Sequence, residues 1–93
     1  MTNTETLTNG TTVTIVTADR SDSVVREKRY ASLGSGAVEV VIVITGAKTF
    51  RVSWAGSKGG RWASTGKSVT GEAAARRLAD AKMAAMLEWL AAA

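Results

Sequence analysis

The sequence contains no cysteine, no histidine and no proline. Without cysteine there can be no disulfide, no thiolate nucleophile and no cysteine-based metal site. Without histidine the commonest general base and metal ligand is missing. Aromatic residues are few: three Trp, one Tyr and one Phe in 93 residues. No apolar run approaches the roughly 18 residues of a membrane span. The first ten residues, MTNTETLTNG, carry one charge, Glu5. They do not turn from basic to apolar as a signal peptide does, so they read as a short disordered lead-in. A cytoplasmic setting fits the absence of cysteine.

What is present bounds the fold. A chain of 93 residues is one domain by size. It can bury about 60–65% of its unfolded surface. We therefore expect residues 11–93 to form a single α+β domain: an antiparallel sheet of four to five meandering strands packed against one C-terminal helix.

The helix is the clearest element. TGEAAARRLADAKMAAMLEWL, residues 70–90, is rich in Ala, Leu, Met, Arg, Lys and Glu, and has no β-branched residue after Thr70. Ser68 or Thr70 is placed to cap it, and Glu72 suits the positive end of its dipole. Met83, Met86, Leu87 and Leu90 form one stripe, which Ala75 and Ala79 extend. Leu78 and Trp89 fall beside that stripe and widen the apolar arc. A small domain that wraps the helix deeply accounts for them; a protein interface or homodimer seam at these two residues is the alternative. Lys82 lies between Met86 and Trp89 and should snorkel along them.

Four segments read as strands. TTVTIVTA (11–18) alternates, with Val13 and Ile15 on one face. SVVREKRYASL (23–33) reads as an exposed or edge strand with charge on both faces; a helix capped by Asp22 and ended by Gly34 is the alternative. AVEVVIVIT (37–45) is aliphatic on both faces and should be central. KTFRVSW (48–54) alternates again after a Gly46-Ala47 turn. Residues 56–60 read as a flexible loop. Residues 61–64 could add a short strand, and residues 65–68 turn into the helix.

Charge is unevenly placed. The net charge is +4, yet residues 20–69 hold nine Lys or Arg against three Asp or Glu, while the helix is balanced. A localised basic excess is an electrostatic footprint for a polyanion, although basic surface charge for solubility alone is an equal alternative. Basic residues interleaved with Trp54 and Trp62 could grip phosphates while a ring stacks on a base. The expected contacts are Arg26, Arg29, Arg51, Lys58, Arg61, Trp62 and Lys67. Parity with Phe50 and Val52 assigns Trp54 itself to the core.

Motifs for catalysis are incomplete. GKS at 66–68 precedes a helix, but a P-loop needs glycine where Arg61 stands. A simpler anion site at the helix start, using Lys67, survives that objection. Ser64-x-x-Lys67 lacks the companion motifs of serine–lysine enzymes. No carboxylates are paired by periodicity, so neither an enzyme nor a metal or other cofactor is expected.

FRVSW at 50–54, Gly59-Gly60-Arg61 and TGEAAARRL at 70–78 together resemble the closing half of the arm-type amino-terminal DNA-binding domain of phage tyrosine integrases. The resemblance spans about residues 48–90 and departs from that family in the long β region before it. It implies a three-stranded sheet laid on DNA and braced by a helix, with Arg51, Lys58, Arg61 and Lys67 as contacts. Two functions follow as expectations. One is a small non-enzymatic nucleic-acid-binding protein using a basic sheet face and residues 56–67. The other is a small phage or mobile-element protein that binds and inhibits another protein, as anti-CRISPR inhibitors do.

Overall fold

In the computed structural model, which describes residues 2–19, 25–58 and 61–92, strand follows strand in one direction across a single sheet. The strands are β1 (Thr2–Thr6), β2 (Thr12–Asp19), β3 (Val25–Leu33), β4 (Gly36–Ile44), β5 (Thr49–Lys58) and β6 (Arg61–Thr70), and α1 (Glu72–Ala91) closes the chain. Spatial order equals chain order, and every neighbouring pair is antiparallel. The α+β meander expected from the sequence is thus present, with six strands instead of four or five.

The aliphatic alternation of β4 sets the layers. Val38, Val40 and Ile42 are buried toward the helix, together with Val52 of β5. From α1 the stripe Ala75, Ala79, Met83, Leu87 and Leu90 meets them. The two alanines present small side chains to the sheet at the amino end, and at the other end Gly36 and Gly56 leave room for Leu90, Met86 and Trp89. Val13 and Ile15 of β2 and Ala31 of β3 complete the core. The helix covers only one side of the sheet. The other side is open, and it exposes Val16 and Tyr30 by 45% and 40%.

Several expectations need correcting. Residues 23–33 are settled as strand over the described part, Val25–Leu33. The lead-in carries β1, whose five residues are exposed and held by backbone pairing to β2 alone. Hydrophobic alternation could not mark a strand with no buried face. Residues 61–64 are strand, as the sequence allowed, but residues 56–58 and 65–67 are neither loop nor turn: β5 and β6 pair without a register shift from Lys58↔Arg61 to Thr49↔Thr70. The turn between β4 and β5 is also longer than a Gly46-Ala47 pair: the last strand pair is Ile44↔Phe50, and the Thr45 N–H donates to the Thr49 carbonyl at 3.0 Å. Neither Ser68 nor Thr70 caps α1. Gly71 is the cap residue, with φ 90° and no side-chain hydrogen bond, and its N–H donates to the Lys48 carbonyl at 2.8 Å. A positive φ of that size favours glycine. The β3–β4 connection is tight, with Gly34 at φ 61° as the first of two loop residues, as a type II′ hairpin requires.

Candidate binding groove

The charged residues of β3 point where the sequence did not place them. A register shift between Val25 and Glu27 rotates the start of the strand. Glu27 shares its face of β3 with Arg29 and the buried Ala31, lies beneath α1 only 3% exposed, and accepts hydrogen bonds from Arg29 Nε and Arg76 Nη1. Arg29 Nη1 also donates to Asp80. Arg26 Nε and Arg76 Nη2 donate to Glu72 Oε1 at 2.8 and 3.1 Å. Three arginines and three carboxylates alternate in one chain of contacts that ties β3 to α1. Burial alone would lower the Arg29 pKa, but hydrogen bonds to Asp80 and Glu27 outweigh it and hold the cation. Arg26 and Arg29 are therefore engaged inside the fold.

The other expected nucleic-acid contacts are dispersed. Lys58 closes the C-terminal end of α1: its Nζ donates to the Trp89 and Ala92 carbonyls at 2.9 and 2.8 Å. That position suits a cation, since helix C-termini are negative. Arg51 lies on the open face, against Gly66, where an added Cβ would come within 2.8 Å of its guanidinium. Lys67 pairs with Val52 and so belongs to the helix side of the sheet. Arg61 and Trp62 open β6, in register with Lys58 and Ser57. Arg26, Arg29, Arg51, Lys58 and Lys67, the five whose side chains are described, do not form one surface.

Two depressions flank the helix. The larger, about 630 Å³, lies on the β1–β2 side and includes Asn3, Ile15, Thr17, Glu27, Arg29 and Asp80 in its lining. Its arginines are already paired with carboxylates, as above, so it aims no unused cation at a ligand. No buried side-chain polar atom among the described residues lacks a partner.

The second is about 370 Å³ and runs between α1 and β6, lined by Trp54, Gly56, Ala63, Ser64, Thr65, Met86 and Trp89. Gly56 makes it possible: a Cβ there would sit 2.7 Å from the Trp89 ring and 3.1 Å from Met86 Cε. Lysines stand over both rings, Lys82 Nζ at 4.7 Å from the Trp54 centroid and Lys58 Nζ at 5.2 Å from that of Trp89. Lys82 thus reaches Trp54 on β5, across the groove from its own helix. Trp54 is half-buried against the core, and Leu78 packs there too. Trp89 remains 43% exposed. Of the two residues that widened the helical arc, Trp89 lines the groove and Leu78 supports the core beside it. The lining from Gly56, Ala63 and Thr65 was hidden in the sequence, because it needs the β5–β6 pairing to bring those residues under the helix.

Along this groove β6 forms one edge of the sheet, with Ala63, Ser64, Thr65, Lys67, Ser68 and Thr70 exposed. Among the described residues no carboxylate lines it. Among the described residues no cluster of three or more potential metal-binding side chains occurs, and no helix is long and apolar enough to cross a membrane. No family model, no curated protein and no solved structure matches the chain.

Proposed function

We propose that the protein acts by binding, without catalysis, and that its ligand is another protein held at the β6 edge and the adjoining groove. The observation that supports this most is the pair of tryptophans, Trp54 and Trp89, with Met86 beside a ten-residue edge strand. Aromatic side chains and Met are enriched where proteins meet. A small cytoplasmic inhibitor of phage or mobile-element origin, of the anti-CRISPR kind, would work in this way by occupying a site on its target.

The nucleic-acid reading has less support. Arg26, Arg29 and Lys58 already serve carboxylates and carbonyls of the fold. Arg51 and Lys67 lie on opposite sides of the sheet. Phosphate contacts need cations presented together along one track.

The test pairs two measurements on the full chain. Affinity capture from a nuclease-treated lysate is run with the wild type and with Trp89→Ala. Anisotropy of labelled single- and double-stranded oligonucleotides is followed as salt is raised. The expected result is a partner retained by the wild type and lost by Trp89→Ala, with no salt-sensitive oligonucleotide binding. Oligonucleotide binding that falls steeply with salt, with no nuclease-resistant partner, would overturn the proposal.

A further inference from the structure

We infer that the segment this protein takes from its partner is an acidic β-strand, which adds to β6 and seats one large apolar side chain in the groove. The inference rests on the protein-binding reading above and specifies the ligand of that site. Its first support is the edge itself. β6 is ten residues long, unbroken in register, and pairs only on its β5 side. An edge strand presents a row of unpaired backbone donors and acceptors, and proteins usually blunt such edges with bulges, proline or short length. The opposite edge, β1, has five residues. β6 has no proline and no bulge, and Lys67 is its one described charged side chain.

The second support is position. An added strand would lie about 4.8 Å beyond β6. Its side chains alternate between faces, so every second one falls on the helix side, next to Ala63 and Thr65. There the groove offers Trp54, Met86 and Trp89 to a single large apolar residue.

Charge selects the rest of the sequence. Lys82 stands over Trp54, and Lys67 lies farther along β6 on the same side. Among the described residues no carboxylate lines the groove to offset them. Acidic residues two places either side of the apolar anchor would meet this rim. The same charge disfavours a second copy of the chain, because β6 paired with β6 would add the Lys67 charge of one molecule to the cationic rim of the other.

The experiment selects a random linear peptide library displayed on phage, and a random single-stranded DNA pool, against the full chain. Enriched peptides are then titrated against Trp89→Ala, a Lys67→Glu/Lys82→Glu pair, Ser64→Pro and Thr65→Pro. Neighbouring residues of an edge strand point their N–H groups alternately inward and outward. One of the two prolines therefore leaves the β5–β6 ladder intact, and the variant that keeps the native circular dichroism reports on the edge.

The expected peptides carry a large apolar residue flanked by Asp or Glu at alternate positions. Their affinity should fall more than about tenfold with Trp89→Ala, with the charge reversal and with the folded proline variant. If no peptide is enriched, or if the peptides lack carboxylates, or if they bind these variants unchanged, the strand-addition inference is overturned. Peptide binding of another kind would leave the protein-binding reading standing. Enrichment of the DNA pool alone would overturn both.

Discussion

Glu27 sits in a run, Arg-Glu-Lys-Arg, that looks like the surface of an exposed strand, yet it is buried beneath α1. A lone buried carboxylate would be costly, and Arg29 and Arg76 offset that cost with charge-assisted hydrogen bonds. Removing it by Glu27→Ala should destabilise the protein by about 2–4 kcal/mol. The figure lies toward the low end for a buried pair because the Arg76 side chain is 37% exposed and Arg29 keeps Asp80. Glu27→Gln should cost less, since an amide oxygen still accepts one bond. Urea unfolding at neutral pH measures both, and a Glu27→Ala loss within about 0.5 kcal/mol, as for an ordinary surface site, would contradict the buried network.

At the scale of elements, the distance between α1 and the sheet is set by small residues on the sheet side. Gly56 is one, directly under Trp89 and Met86. Gly56→Ala should displace the Trp89 ring, raise its exposure and cost about 1–3 kcal/mol through overpacking. A red shift in tryptophan fluorescence with a lowered unfolding midpoint would record it; an unchanged spectrum and midpoint would not fit the packing. The elements differ in how legible they were. The stripe from Ala75 to Leu90 and the alternation of β4 announce themselves because burial on one side repeats at the helix or strand period. β1 carries no such signal, since pairing with β2 is all that makes Thr2–Thr6 a strand. The Gly-Ser-Lys run at 56–58 has the composition of a loop, and pairing with β6 makes it a strand. The described part of the expected basic surface is divided for a related reason. Residues close in sequence, such as Arg51 and Val52, alternate between faces, and the helix then draws Arg26 and Arg29 toward its own carboxylates.

Across the whole molecule, both ends of α1 are pinned by contacts that depend on ionised carboxylates. Glu72 accepts from Arg26 and Arg76, and the hydrogen bond from Arg26, then that from Arg76, holds its pKa below the usual value. At the other end the Thr8 hydroxyl, then the Thr8 N–H, do the same for Glu88. These contacts fasten the β1–β2 turn and the β3 strand to one helix. Depressed carboxylate pKa values contribute stability that is complete above the unfolded value of about 4.3 and is lost as pH falls through the lower folded values. Urea midpoints should therefore vary little from these groups between about pH 7 and pH 5, and drop below that. A Glu72→Gln/Glu88→Gln double variant should start from a lower midpoint and show a smaller acid drop. An equal drop in both proteins would assign the acid sensitivity to other groups.

The central claim is that recognition takes place along β6 and the groove beneath Trp89. Hydrogen–deuterium exchange of the full chain, free and saturated with the tightest selected peptide, tests it most directly. The expected result is slowed exchange at the outward-facing amides of β6 and in the last turns of α1 around Trp89, with the open face around Val16 and Tyr30 unchanged. Slowed exchange on that open face, with β6 exchanging as fast as in the free protein, would contradict it.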